Sequence, residues 1–258
     1  MTDWLAYLIV CPLTMLAGLI DSVAGGGGLI SLPAYLAAGL PPHLAAGSNK
    51  LSACIGSLAA NLAYIKSKAV PWRTALFGVL GALPGAAIGT RLLLIISGDI
   101  IRPMLLIAVP VVAWLVFRAK SQEAPPLSGW RASRWAGAVI PLAAGLVIGM
   151  YDGFFGPGTG TFLALALRGA LHLSWLRATA AAKMINLASN AASLVVFLFS
   201  GQVAVALALT ASVFSVAGNL IGARLAMKKG GKAIRVMLIV ALALLLARVA
   251  WDLLFPAV

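Results

Sequence analysis

Apolar runs long enough to cross a lipid bilayer follow one another along almost the whole chain of 258 residues. Crossing a hydrocarbon core of about 30 Å takes roughly 20 consecutive apolar residues in a helix. Only 10% of the residues are charged, whereas a soluble domain carries roughly 25%. The sequence therefore predicts an all-α integral membrane protein and leaves no stretch for a separate soluble domain.

The chain carries a formal net charge of +13. In a soluble protein such a charge would suggest nucleic-acid binding. Here most basic residues lie in short links between apolar runs, a pattern that the positive-inside rule and anionic lipid headgroups produce. We expect contact with anionic membrane lipids and no nucleic-acid partner.

Several motifs recur at a fixed spacing, which indicates an internal duplication. The segment Gly85–Leu92 returns as Gly218–Leu225, and Ile101–Leu105 returns as Ile234–Leu238, each 133 residues later. Lys50 and Lys183 have the same spacing. The glycine cluster after Asp21 corresponds to the one after Asp152 with a shift of one or two residues. The chain therefore consists of two repeats of about 130 residues.

The first repeat covers residues 1–117, a loop covers 118–134, and the second repeat covers 135–258. Each repeat has four long apolar runs and one shorter stretch after its glycine cluster. The predicted spans are Leu5–Ile20, Leu44–Ile65, Thr74–Ile96 and Pro103–Phe117, then 135–151, 178–199, 203–226 and 236–255, with the shorter stretches ending at Pro41–Pro42 and covering 160–173. The total is 8 to 10 membrane-embedded helices, depending on whether the shorter stretches cross.

The distribution of charge favours five crossing segments in each repeat. With five, the basic links fall on one side, as expected of the cytoplasmic side: Lys66, Lys68, Arg73, Arg118, Lys120, Arg131, Arg134, Arg168, Arg177, Lys228, Lys229, Lys232 and Arg235. With four, they divide almost evenly. We therefore expect inverted repeats, both termini outside, and a multi-pass protein of a bacterial inner membrane.

The two glycine clusters predict broken or re-entrant helices. Glycine and proline disfavour a continuous helix, and unwound backbone at membrane depth must be buried in protein or line a wet cavity. A helix that restarts there directs free N–H groups at the cavity, which suits an anion. The candidate binding residues are Gly25, Gly26, Gly27, Gly28, Gly156, Gly158 and Thr159. The alternative is close helix packing through small residues.

Two lysines lie within apolar sequence at equivalent places in the repeats, and buried lysines of this kind are often functional. Their neighbours complete the candidate substrate site, which contains Ser48, Asn49, Lys50, Lys183, Asn186 and Asn190. The alternative is that the lysines snorkel to a membrane interface and that the amides only join helices.

Asp21 and Asp152 are two of only six acidic residues, and both precede a glycine cluster. They are candidates to neutralise the two lysines or to carry a coupling proton. The alternative is a helix cap or an exposed interfacial acid. His43 and His172 have no partner at metal-ligand spacing, and no catalytic or nucleotide-binding motif is present. We therefore expect no metal, no cofactor and no enzymatic activity.

The sequence resembles the TauE/SafE family of sulfite and organosulfonate exporters. The resemblance lies in Ala17–Pro33, in Gly39–His43, in Gly47–Lys50, where the family usually has Thr in place of Ser48, and more loosely in Gly153–Gly160. It implies secondary transport of a small sulfur-containing anion, with Asn49, Lys50 and the glycine motifs in contact with it. Two other functions stay open, a cation or metal-ion permease of the same fold and a non-transporting scaffold subunit. The oligomeric state also stays open, a homo-oligomer included.

Overall fold

The computed structural model describes residues 3–98, 100 and 135–228. The long helices of this part are α1 (Asp3–Ala24), α2 (Gly28–Ala37), α3 (Pro42–Lys66), α4 (Trp72–Ile95), α5 (Ala136–Phe154), α6 (Thr159–Leu171), α7 (Trp175–Phe199) and α8 (Val205–Lys228). Each corresponds to a predicted segment, with ends that differ by a few residues. The predicted spans Pro103–Phe117 and 236–255 lie outside the described residues.

The helices fall into two groups by length and composition. Five of them, α1, α4, α5, α7 and α8, are long and apolar enough to cross a bilayer. Helix α3 has 25 residues, as α7 does, but it carries more polar side chains. Helices α2 and α6 have 10 and 13 residues, too few for either helix by itself to span about 30 Å at about 1.5 Å per residue.

Helices α3 and α7, the equivalent helices of the two repeats, end in the same way. The backbone N–H of Ala69 donates to Tyr64 O at 3.2 Å, and that of Gln202 donates to Phe197 O at 3.0 Å. Between them lie Lys68 with φ 57° and Gly201 with φ 67°, both left-handed and 133 residues apart. Such a left-handed residue is a common helix stop, so the duplication extends to the local geometry.

These two helices run antiparallel. Near the start of α3, a Cβ on Gly47 would lie 3.1 Å from Phe197 Cβ, near the end of α7. Further along, Asn61 Nδ2 donates to Lys183 O at 3.2 Å. The end of α3, the start of α4, the start of α7 and the end of α8 pack into one apolar cluster. We call this end of the molecule the basic end, because it carries Lys66, Lys68, Arg73, Arg177, Arg224 and Lys228.

The short helices fold back on their predecessors. Leu32 and Tyr35 of α2 pack with Val10 in the first half of α1, in a cluster that also holds the start of α8. Thus α1 and α2 form a hairpin that returns to the end opposite the basic end. In the other repeat, Leu167 of α6 packs near Val79 at the start of α4, so the hairpin of α5 and α6 returns to the basic end.

The repeated glycine motif joins helices from different repeats. In α4, a Cβ on Gly85 would lie 2.2 Å from the carbonyl oxygen of Leu146 in α5. In α8, the equivalent Gly218 has the same relation to Met15 of α1, at 2.0 Å. Only glycine allows backbones to approach this closely. Each repeat is thus held against the other by two glycine-packed helix pairs.

Candidate functional site

The two glycine breaks lie against each other between the hairpins. Gly25 and Gly156, at equivalent places in the repeats, have φ of 73° and 89°, a region that favours glycine. A Cβ on Gly25 would lie 2.4 Å from Gly160 Cα, and a Cβ on Gly28 would lie 3.6 Å from Pro157 Cα. The starts of α2 and α6 therefore meet inside the helix bundle.

Lys50 of α3 pairs with the acid of the other repeat. Its Nζ lies 2.7 Å from Asp152 Oδ2 and also donates to Asp152 O at 2.8 Å and to Asn190 Oδ1 at 3.0 Å. Ser189 Oγ donates to the same Asp152 Oδ2 at 2.7 Å. An ammonium group has three N–H donors, so every donor of Lys50 has an acceptor.

Lys183 of α7 forms the reciprocal pair. Its Nζ bonds to Asp21 Oδ2 and also donates to Ser57 Oγ at 3.1 Å. Ser57 Oγ lies 3.2 Å from Asp21 Oδ2, and Gly27 N donates to Asp21 Oδ1 at 3.3 Å. The two ion pairs therefore cross between the repeats, because each lysine neutralises the acid of the repeat to which it does not belong.

The four charged side chains of these pairs are interior groups. Lys50, Lys183 and Asp152 are 5%, 1% and 2% exposed, and the side chain of Asp21 is 14% exposed. Charges buried to this degree require a partner, and each one has it. The lysines do not snorkel to the surface of the bundle, and Asp152 is not an exposed interfacial acid.

A small cavity, with about 30 Å³ of room for the centre of a water molecule, lies beside the first of these pairs. Of the candidate residues, ten line it: Asp21, Gly25, Gly27, Gly28, Asn49, Lys50, Asp152, Gly156, Asn186 and Asn190. The cavity thus brings together one ion pair, the start of α2 and several amide side chains.

Five candidate residues do not line the cavity. They are Gly26, Ser48, Gly158, Thr159 and Lys183. Ser48 Oγ accepts a hydrogen bond from Ala204 N at 2.9 Å, and Thr159 Oγ1 donates to Gly156 O at 2.8 Å. These two hydroxyls stabilise the start of α8 and the start of α6.

Five polar lining residues were not among the predicted site residues: Thr14, Ser31, Ser52, Ser215 and Asn219. A comparison of the two repeats could have indicated three of them, because polar residues of one repeat correspond to apolar residues of the other. The residues 133 positions before Ser215 and Asn219 are Ala82 and Ala86, and the residue 133 positions after Ser52 is Ile185. Ala82 and Ile185 belong to a buried apolar cluster. The polar residues Ser52, Ser215 and Asn219 thus have apolar counterparts in the other repeat.

Two amide oxygens at the cavity have no hydrogen-bond partner among the described residues. They are Asn49 Oδ1 and Asn219 Oδ1. The orientation of the Asn219 amide is fixed, since its Nδ2 donates to the carbonyl oxygen of Ser215 at 3.0 Å. Unpartnered buried polar atoms are rare in native proteins and concentrate where a ligand or water completes the site.

In the described residues, a bundle of helices with five candidate membrane spans encloses a charged cavity, an arrangement typical of the membrane transporters. The comparisons with known proteins agree. A family model described as "Sulfite exporter TauE/SafE" matches residues 10–249. The chain belongs to the TauE/SafE family and is a membrane transporter.

Curated relatives of similar length carry the same general description. The chain is 36% identical over 241 residues to "Probable membrane transporter protein YfcA" of Escherichia coli (strain K12), which covers 92% of this chain and 87% of that protein. It is 35% identical over 237 residues to a "Probable membrane transporter protein" of Haemophilus influenzae, with 92% and 91% covered. It is 37% identical over 251 residues to "Probable membrane transporter protein ORF9" of Sinorhizobium sp, with 96% and 93% covered. No solved structure matches the chain.

Proposed function

We propose that the protein is a secondary transporter that exports a small sulfur-containing anion, such as sulfite, sulfoacetate or another organosulfonate, by alternating access. The observation that carries the proposal is Lys50, a buried ammonium at the wall of a polar cavity in a membrane protein. The family name supplies the sulfur oxyanion. No ATP-binding motif was found in the sequence, so the substrate gradient or a coupling ion would supply the energy.

The groups around Lys50 suit an oxyanion. Helix α2 begins at Gly28, and Gly27 and Gly28 line the cavity. The positive dipole end of a helix attracts negative charge. The N–H groups of Leu29, Ile30 and Ser31 already donate to Gly26 O and Gly27 O, so the start of α2 acts through its dipole. Asn190, whose oxygen accepts from Lys50, and Asn186 also line the cavity. In such a site the lysine and the positive end of α2 supply favourable electrostatics, and the amides supply directed hydrogen bonds.

Alternating access is supported by the relation between the repeats. Helices α3 and α7 run antiparallel, and the two hairpins return to opposite ends of the bundle. This is the arrangement expected of inverted repeats with re-entrant, broken helices. Lys50 and Lys183 are each the ninth residue of their helix, so they lie about 12 Å from opposite ends.

The orientation in the membrane follows from charge. Among the described residues, exposed lysine and arginine side chains concentrate at the basic end, and Arg91 is the one exposed basic residue near the other end. The positive-inside rule orients the basic end toward the cytoplasm of a bacterial inner membrane, where it would contact anionic lipids.

The other two functions have weaker support. In a cation permease the two interior acids would supply negative charge at the site, and both are already paired with lysines. Among the described residues no group of three His, Cys, Asp or Glu side chains is arranged to hold a metal ion. A scaffold subunit would have no use for a cavity lined by buried amides and an ion pair.

The test is thermal stabilisation of the purified protein by sulfite, sulfoacetate, taurine, sulfate, chloride and divalent cations. A ligand that binds only the folded state raises the melting temperature. We expect sulfite or a sulfonate to raise it, and the rise to disappear in Lys50→Ala. The double variant Lys50→Gln/Asp152→Asn removes both charges together and avoids an unpaired buried acid, so it reports on binding if the single variant unfolds.

A measurement of anion flux across a membrane completes the test. Protein reconstituted alone in liposomes should move the stabilising anion. Stabilisation by divalent cations only, an equal anion effect in both Lys50 variants, or no flux from the purified protein would each contradict the proposal.

A further inference from the structure

The two ion pairs leave the site electrically neutral. Two lysines and two aspartates are paired one to one. Among the described residues, the titratable groups close to these four are Cys54 near Lys50, Tyr151 near Asp152 and Tyr64 near Asp21, and Tyr35 bonds to Ser52 in the cavity wall. The hydroxyl of Tyr35 donates to Ser52 Oγ at 3.0 Å and that of Tyr151 to Pro157 O at 2.6 Å. A bound monoanion would therefore bring one uncompensated negative charge into a low-dielectric interior, which is costly.

All three N–H donors of Lys50, the lysine at the cavity, are already used in hydrogen bonds. Its three N–H groups donate to Asp152 Oδ2, Asp152 O and Asn190 Oδ1. An anion that binds Lys50 must displace one of these acceptors. The side-chain carboxylate is the acceptor that an oxyanion replaces like for like, because both are charged oxygen acceptors of an ammonium group.

Once an anion has displaced the Asp152 carboxylate from Lys50, the buried carboxylate has no counter-charge and cannot remain ionised. Its side chain, 2% exposed, would keep the hydrogen bond from Ser189 Oγ but lose the one ion-pair partner that it has among the described residues. A buried carboxylate without a counter-charge takes up a proton. The second pair does not provide the same exchange, because Lys183 does not line the cavity and is enclosed by Asp21 and Ser57.

We propose that Asp152, and not Asp21, binds one proton for each monovalent anion that binds Lys50, so that loading of the site is electroneutral. The inference rests on the proposed function and adds the coupling ion to it. Before loading, the Lys50 ammonium faces the Asp152 carboxylate. After loading, the ammonium faces the anion, and the added proton resides on Asp152 as a carboxylic acid. The charge of the site is zero in both states.

The test measures anion affinity against pH with methanesulfonate and ethanesulfonate, which carry one negative charge at every pH used. If one proton binds with each anion, the Kd rises about tenfold for each pH unit between about pH 6 and pH 8. Asp152→Asn imitates the protonated acid. It should bind the anion with a Kd that does not change with pH, and at pH 8 more tightly than the wild type.

The matched control is Asp21→Asn, the same substitution at the equivalent place in the other repeat. The Kd of this variant should still rise about tenfold for each pH unit, whatever its absolute affinity. A role of Asp152 in structure alone would lower the melting temperature of Asp152→Asn without removing the slope. Proteoliposomes supply a second readout, because wild-type anion flux should acidify the receiving side and should not respond to an imposed voltage.

The outcomes separate the two proposals. If neither sulfonate nor sulfite binds or moves at any pH, the proposed function fails and this inference with it. If an anion binds with a pH-independent Kd in the wild type, or if Asp21→Asn rather than Asp152→Asn removes the slope, the inference alone is overturned.

Discussion

Ser189 stabilises the charged form of the acid at the cavity. Its hydroxyl donates to Asp152 Oδ2 at 2.7 Å, and a hydrogen bond to a charged group is worth about 1.5–3 kcal/mol. Ser189→Ala makes the charged carboxylate less favourable and so lowers the cost of the state in which Lys50 is released to an anion. We expect ethanesulfonate to bind about tenfold more tightly at pH 8, since about 1.4 kcal/mol is a factor of ten.

Ser193 is the matched control for this prediction. It lies one turn further along α7, is fully buried, and its hydroxyl has no partner among the described residues. Ser193→Ala should leave the Kd at pH 8 unchanged. Equal affinities of Ser189→Ala and the wild type at pH 8 would show that the Asp152 charge does not oppose anion binding.

At the residue scale the sequence predicted which side chains carry charge inside the membrane, but not how they pair. Asp21 and Lys50 belong to one repeat, and a local interpretation would pair them. The structure pairs Lys50 with Asp152 and Lys183 with Asp21. Such a crossed arrangement depends on how the repeats pack, and neither hydropathy nor spacing contains that information.

Helix α5 offers a direct test of the glycine packing that holds the repeats together. A Cβ on Gly145 would lie 2.1 Å from the carbonyl oxygen of Gly78 in α4, so Gly145→Ala forces two backbones apart. Overpacking of this kind typically costs about 1–3 kcal/mol. We expect a clear fall in melting temperature.

Gly137 in the same helix is the control. A Cβ there would meet nothing within 4 Å, and Gly137→Ala should leave the melting temperature unchanged or slightly higher, since alanine favours a helix over glycine. If both variants melt like the wild type, the close approach of α4 and α5 is not a source of stability.

At the element scale, hydropathy and the glycine and proline positions predicted the helices well, and the exceptions have a tertiary cause. The sequence pattern ends the first span at Ile20, before Asp21 and Ser22. Helix α1 continues to Ala24, because Lys183 of the other repeat neutralises Asp21, and Tyr64 donates to Ser22 O at 2.8 Å. Polar residues that appear to end a span are tolerated when a distant helix satisfies them.

At the scale of the whole molecule, the inverted topology that we propose rests on the duplication together with the charge distribution. Corresponding helices that run in opposite directions place corresponding loops on opposite sides of the membrane. Ser67 and Ser200 are such a pair, 133 residues apart. Both are exposed just after α3 and α7, and each hydroxyl bonds to a carbonyl of the helix that it follows, at 2.9 Å.

We expect Ser67→Cys and Ser200→Cys to react with a membrane-impermeant maleimide from opposite sides of the membrane, Ser67→Cys from the cytoplasm and Ser200→Cys from outside. The background lacks the native thiols Cys11 and Cys54, one buried and one partly buried within helices, through Cys→Ala changes. Intact cells and inverted vesicles, labelled in parallel, give the side of each position. Labelling of both positions from the same side would make the repeats parallel. The crossed ion pairs would then have to arise from a packing in which α3 and α7 run in the same direction, contrary to the contacts of Gly47 with the end of α7 and of Asn61 with Lys183.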